Sequence, residues 1–161
     1  MYFFQKKEDG FSIIELLVGA SILSVVMVSL VVVFQAFLVQ SFESLERTQA
    51  AFLAEEGIEA VKILRDKGWD ENIGTLSDGS DYYLVFENNL WVATTVPQDL
   101  IDGMFERTFV IESVDRDGND DITTSGTDDP NTKHIQIEVA WFAGSATTTK
   151  SLETYVTNFH E

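Results

Sequence analysis

The sequence predicts an α+β protein in which a long N-terminal α-helix, half transmembrane and half amphipathic, packs on a C-terminal antiparallel β-sheet head. Three observations predict this fold. No charged residue occurs within residues 16–42. Apolar and charged residues then recur on helical spacings through residues 40–66. After Gly68, short runs with strand-like alternation follow one another.

The charge-free run is the first element. It exceeds the roughly 20 residues that a helix needs to span hydrocarbon, and also the apolar core of a secretory signal peptide, about 7 to 15 residues. Lys6 and Lys7 precede it, whereas Glu43 and Glu46 follow it. By the positive-inside rule, we expect a single pass through the cytoplasmic membrane, with the N-terminus in the cytoplasm and the rest outside.

The amphipathic segment continues this helix away from the membrane. Lys62, Arg65 and Lys67 cluster near its end, where cations favour a helix C-terminus, and Gly68 reads as the stop. The same cluster could contact nucleic acid, but its position at a helix end explains it better. The apolar positions on helical spacings are Phe42, Leu45, Phe52, Leu53, Val61 and Leu64.

The head, residues 68–161, is predicted to be an antiparallel sheet. Asn88 and Asn89 separate two strand-like runs and suit a two-residue hairpin turn. Short connections favour antiparallel pairing, with one face on the helix and one in water. The predicted strands are residues 82–87, 90–96, 107–114, 134–141 and 147–157. In the fourth of these, Ile135, Ile137, Val139 and Trp141 share one face.

Composition excludes several functions. The formal net charge of -17 opposes binding to nucleic acid or anionic lipid. The chain has no cysteine, which excludes disulfides, thiolate metal sites and cysteine catalysis. The two histidines, His134 and His160, belong to no catalytic motif, and Trp69, Trp91 and Trp141 suit a core or an interface. We therefore expect no enzymatic activity.

Acidic residues cluster within residues 115–130, "DRDGNDDITTSGTDDP". Asp115, Asp117 and Asn119 follow the odd-position spacing of a calcium loop, and Asp121 extends it. An EF-hand would need glycine in place of Asp120 and glutamate at position 126, so a solvated acidic turn is the competing interpretation. Calcium is the one cofactor for which the sequence offers ligands, and we expect it to have at most a modest effect.

The segment "GFSIIELLVGASI", which begins at Gly10, resembles the N-terminal motif of type IV prepilins and type II secretion pseudopilins. The resemblance implies cleavage by a leader peptidase between Gly10 and Phe11, followed by N-methylation of Phe11. It also implies that Glu15, the fifth residue after the cut, pairs with the terminal amine of a neighbouring subunit during assembly. Gly19, Ala20, Ser21, Ser24 and Ser29 supply small surfaces for close helix packing.

This resemblance implies a structural role and an organisation. The chain would be a minor pilin or pseudopilin, an interpretation that the missing cysteines favour. Its partners would be other pilin subunits, the prepilin peptidase and methyltransferase, and inner-membrane assembly machinery, and its destination a filament outside the cytoplasm. The alternative is a monomeric, membrane-anchored binding domain outside the cytoplasm, whose acidic loop holds calcium or contacts a ligand. The predicted parts are a leader (residues 1–10), an assembly helix (11–42), an amphipathic helix (43–67) and the head (68–161).

Overall fold

A computed structural model describes Gly10, residues 12–144 and residues 146–159. The chain divides between Ser44 and Leu45 into two compact units, named here the N-terminal unit and the C-terminal unit. The element α1 (Ile13–Lys67) contributes to both units, and the short α2 (Trp69–Asn72) follows it. The predicted α+β class is confirmed, because the helices are followed by an antiparallel sheet.

Within the described residues, six strands form one antiparallel sheet in the order β2-β1-β3-β5-β6, with β4 paired to β3. The strands are β1 (Asp81–Glu87), β2 (Leu90–Thr94), β3 (Glu106–Arg116), β4 (Ile122–Thr123), β5 (Thr127–Ala143) and β6 (Ala146–Thr157). The predicted turn between β1 and β2 is confirmed, because Asn88 and Asn89 both adopt positive φ angles, 52° and 62°.

The core of the C-terminal unit lies between one face of α1 and one face of the sheet. The predicted shared face of β5 is confirmed, because its four members are all buried. Small residues on α1 let the helix lie close to the sheet. A Cβ atom on Gly57 would lie only 3.0 Å from Ile137 Cγ2, so a larger residue there would crowd β5. The helix contributes Ala50, Ala54, Ile58, Ala60, Val61 and Leu64, and the sheet contributes Phe109, Ile111, Ile135, Ile137, Val139 and Trp141.

The helix face in the core differs from the predicted apolar stripe. Val61 and Leu64 are buried, but Leu45 and Phe52 are exposed on the other side of α1. The reason is the spacing of the small residues, since a contact surface of alanine and glycine allows a closer approach than one that contains Phe52. Of the predicted stripe, Leu53, Val61 and Leu64 therefore lie at the contact face, whereas Phe42, Leu45 and Phe52 do not.

Two side chains of the sheet, Arg107 and Trp141, make polar contacts that hold this helix in place. The side chain of Arg107, only 4% exposed, donates to Glu56 Oε2 at 2.6 Å and to the carbonyl of Leu53 at 3.1 Å. Trp141 donates from Nε1 to Glu46 Oε2 at 3.2 Å. These contacts fix how far along the sheet the helix lies.

The region predicted as one acidic loop is partly sheet. Ile122 and Thr123 form β4, and β5 begins at Thr127. Ser113 and Val114 on β3 pair with Lys133 and Asp129, so residues 130–132 bulge out of β5. Pro130, which has no N–H to donate, lies in this bulge, where the ladder needs no donor.

Candidate functional site

The first turn of α1 contains the predicted assembly residue. The carbonyl of Ser12 accepts hydrogen bonds from the N–H groups of Glu15 at 3.0 Å and Leu16 at 3.2 Å. Glu15 therefore lies in the first turn of the helix, where the helix dipole favours a carboxylate. Gly10 is described and exposed, whereas Phe11, predicted to be the methylated residue, lies outside the described residues.

A shallow hollow lies beside Glu15 on the surface of α1. Its volume is about 410 Å³, and Leu16, Gly19, Ala20 and Leu23 complete its lining. A Cβ atom added to Gly19 would meet nothing within 4 Å, so no contact with the described residues requires this glycine. The surface beside the acid is thus concave and mostly apolar.

The serines of the same helix are satisfied locally. Ser21 donates to the carbonyl of Val18 at 2.8 Å, and Ser24 donates to that of Ala20 at 2.8 Å. Ser29 likewise bonds to a carbonyl of the preceding turn. Because each hydroxyl donates along its own helix, these side chains can face lipid without an unpaired donor.

The N-terminal unit buries none of its described side chains. Every described residue from Ser12 to Ser44 is exposed, although most are large and apolar. The helix is long and apolar enough to cross a membrane. Since exposed apolar surface of this extent is stable only against lipid or other protein, the segment indicates membrane anchoring.

The acidic region is organised around Arg116, whose side chain lines an open surface hollow of about 660 Å³ together with Asp117, Asp120, Asp128 and Asp129. Its Nε lies 2.6 Å from Asp129 Oδ2, and its other nitrogens donate to the Asp120 carbonyl at 2.8 Å and to Thr132 Oγ1 at 3.2 Å. The hydrogen bond from Arg116 lowers the pKa of Asp129 below its usual value. A Cβ atom on Gly126 would overlap the carbonyl of Arg116, so only glycine fits there.

Two of the four predicted calcium ligands, Asp117 and Asp115, accept hydrogen bonds from neighbouring backbone N–H groups. Asp117 Oδ1 accepts the N–H groups of Asn119 at 2.8 Å and Asp121 at 3.1 Å, and these bonds lower its pKa. Asp115 accepts the N–H of Gly126 at 3.4 Å. Within the described ranges, no group of three acidic or histidine side chains is arranged to hold a metal ion. Calcium binding stays a prediction.

His134 lies on the face of β5 that points away from α1. Glu112 approaches its Nδ1 and Glu153 approaches its Nε2, each at 3.4 Å. Because the two carboxylates contact opposite ring nitrogens, they cannot share one ion with the imidazole. The other histidine, His160, lies outside the described residues.

The basic cluster at the end of α1 has partners within the chain. Lys62 pairs with Glu59 at 2.7 Å, and Arg65 pairs with Asp66 at 2.8 Å. The guanidinium of Arg65 also lies over the ring of Phe159, 4.6 Å from its centroid. These contacts agree with the helix-end interpretation of the cluster.

A model of the prokaryotic N-terminal methylation motif matches residues 5–31. The match begins before Gly10, includes Glu15 and ends within the exposed part of α1. No curated protein matches the chain, and no solved structure matches it.

Proposed function

We propose that this chain is a structural subunit of a filament. The premise is that the methylation motif supports membership of the type IV pilin and pseudopilin family. The observation that carries the proposal is that the motif and the exposed apolar helix are adjacent in the chain. The motif with Gly10 and Glu15 leads without a gap into a helix whose described side chains remain unburied up to Ser44. A polymer of such helices would cover the surface that the single chain leaves exposed.

Processing would precede assembly. A prepilin peptidase would cleave between Gly10 and Phe11, and the new amine on Phe11 would be methylated. The leader would then be residues 1–10, the assembly helix 11–42, its continuation 43–67 and the head 68–161. The precursor would cross the cytoplasmic membrane once, with its leader in the cytoplasm and its head outside, before it enters the filament as a minor pilin or pseudopilin.

Glu15 would act as the assembly residue. Helices gain little hydrophobic free energy when they move from lipid into a filament core, so polar pairs and close packing decide their association. The methylated amine of a neighbouring subunit would pair with Glu15 beside the hollow at Gly19 and Ala20. Pairing would neutralise two charges that are costly to leave alone in an apolar environment.

The test is incorporation of the Glu15→Val variant into filaments, scored in sheared surface fractions or in a secretion-system filament preparation. We expect incorporation to fall at least about tenfold, because the unpaired amine must then be buried alone. The matched control is Glu43→Val, which removes one acid from the same helix near its other apolar boundary. Equal incorporation of both variants and the wild type would contradict the role of Glu15.

Mass spectrometry of the membrane-extracted protein tests processing separately. A mature chain that begins with methylated Phe11 is expected. A chain that keeps Met1 would favour the alternative, a monomeric membrane-anchored binding domain.

A further inference from the structure

Exposed apolar side chains gather at one end of the C-terminal unit. Phe142 is 70% exposed, Phe86 58% and Leu90 48%. Phe142 lies at the β5–β6 hairpin, whereas Phe86 and Leu90 flank the β1–β2 turn. Two separate hairpins therefore present large apolar groups to the surroundings.

The strand register places both hairpins at the same end. Glu106 begins β3 and pairs with Ala140, two residues before Phe142. Tyr83 pairs with Thr108, and β1 runs antiparallel to β3, so Phe86 extends one residue past the level of Glu106. We call this end, with Phe86, Leu90 and Phe142, the proximal end.

The proximal end is also where α1 enters the C-terminal unit. Trp141, the neighbour of Phe142, donates its indole N–H to Glu46. Glu46 follows Phe42, the last residue of the charge-free apolar run, by only four positions. Even a fully extended chain of that length reaches no more than about 14 Å. The covalent chain therefore keeps the proximal end close to any membrane that the apolar run spans.

We propose that in the membrane-anchored precursor the proximal end inserts Phe86, Leu90 and Phe142 into the interfacial layer of the same bilayer. The inference rests on the membrane anchoring in the proposed function, but not on filament formation. Aromatic and large apolar side chains favour the boundary between headgroups and acyl chains. Because the bilayer is tethered to the domain, its effective concentration is high and a weak contact suffices. A second copy of the chain has no such advantage in a dilute membrane.

The charge of the proximal end makes its insertion depend on the charge of the lipids and on salt. Three acids, Glu46, Glu87 and Glu106, lie at or beside the proximal end, so anionic headgroups would repel it. Insertion is therefore apolar in origin. It should be weaker in anionic than in zwitterionic bilayers at low salt, and added salt should restore it.

The full-length chain contains no cysteine, so single cysteines can carry an environment-sensitive fluorophore without background labelling. The test places the label at Phe142→Cys in phosphatidylcholine vesicles that contain lipids with a nitroxide near the headgroup end of the acyl chain, or, for the label in the spanning segment, near the methyl end. Two matched sites serve as controls. Val31→Cys reports the spanning segment, and Ser125→Cys reports an exposed loop far from the proximal end.

We expect nitroxide quenching at Phe142→Cys to be at least about twofold greater than at Ser125→Cys. Replacing half of the phosphatidylcholine by phosphatidylglycerol should lower that quenching, and salt should raise it again. Quenching at Val31→Cys without quenching at Phe142→Cys would overturn the inference and leave anchoring intact. Absence of quenching at both sites would overturn anchoring as well.

A contact between copies would give a different result. In that case the emission at Phe142→Cys would change with the protein-to-lipid ratio, and the nitroxide lipids would not quench it. That outcome would also overturn the inference. Leu90→Cys on the β1–β2 hairpin should report the same quenching as Phe142→Cys if the whole proximal end inserts.

Discussion

The two parts of α1 differ in where their contacts lie. Among the described residues, the part that belongs to the N-terminal unit buries no side chain. The part from Leu45 onward buries seven residues in the core and is held by Arg107 and Trp141. One helix therefore includes a segment with one face packed on the core of its own chain and a segment whose contacts must come from outside it.

This difference separates folding from assembly. Substitutions in the C-terminal unit should change its free energy of unfolding, while substitutions in the N-terminal unit should change only interactions with lipid or with other subunits. All three tryptophans lie in the C-terminal unit, so their fluorescence follows its unfolding in the detergent-solubilised full chain.

The strongest test of the comparison makes the same substitution in both units. Phe109 is fully buried between α1 and the sheet, and Phe34 is 63% exposed in the N-terminal unit. We expect Phe109→Ala to lower the free energy of unfolding by about 3–5 kcal/mol, because it leaves a cavity in the core. Phe34→Ala should leave that quantity unchanged. Urea titration followed by tryptophan fluorescence measures both, and a comparable loss for Phe34→Ala would refute the independence of the two units.

A second test compares two acids on the C-terminal part of α1. Glu56→Ala should lower the free energy of unfolding by about 1–3 kcal/mol, because it leaves the buried guanidinium of Arg107 with fewer acceptors. Glu59→Ala removes only the exposed pair with Lys62 and should cost about 0–1 kcal/mol. If the two variants lose the same stability in urea titration, the Glu56 contact does not fasten the helix to the sheet.

The smallest expected effect is a pH dependence in the acidic region. Since the pKa of Asp129 is lowered in the folded chain, its stabilising contribution is present above the unfolded pKa and is lost as the pH falls through the folded value. Asp129→Asn should therefore be less stable than the wild type at neutral pH. The difference in urea midpoint should shrink as the pH falls below about 4.

Asp128→Asn is the control for that measurement, because it makes the same charge change at an exposed neighbour. A difference for Asp129→Asn that stays constant across the acid range would mean that Arg116 does not stabilise the ionised carboxylate. The same would follow if Asp128→Asn reproduced the pH dependence.

Local features of the fold were predictable because their signals are local. The absence of charge over residues 16–42 and the stop at Gly68 predicted the long helix, and the pair Asn88 and Asn89 predicted the first hairpin. The alternation in β5 predicted its buried face. Periodicity and turn chemistry act over a few residues, so a single sequence carries them.

The contacts that fix the helix on the sheet were not predictable in the same way. Arg107 meets Glu56 across 51 positions, and Trp141 meets Glu46 across 95. Nothing in the spacing of these residues marks them as partners. The early start of β5 was also missed, because Pro130 and the acids around it have low strand propensity and only the bulge opposite Ser113 and Val114 accommodates them.

At the candidate site, the sequence predicted the motif and its position but not its surroundings. Gly10 and Glu15 could be read directly, and the hollow beside Glu15 follows from Gly19 and Ala20. The role of Arg116 was hidden, since a lone cation among acids reads as ordinary charge balance. Asp129 lies opposite Val114, two residues along β3 from Arg116 and therefore on the same face, whereas Thr132 belongs to the bulge.

The attachment of the first hairpin to the sheet has a mechanical consequence. β1 pairs with β3 only over Asp81–Tyr83, whereas β3 and β5 pair along nearly the whole of β3. Few backbone hydrogen bonds must therefore break for the β1–β2 hairpin to separate from β3. The amides of β1 that face β3 should exchange with solvent before those of β5. The β1–β2 hairpin is therefore the weakly attached part of the sheet, beside the extensively paired strands β3, β5 and β6.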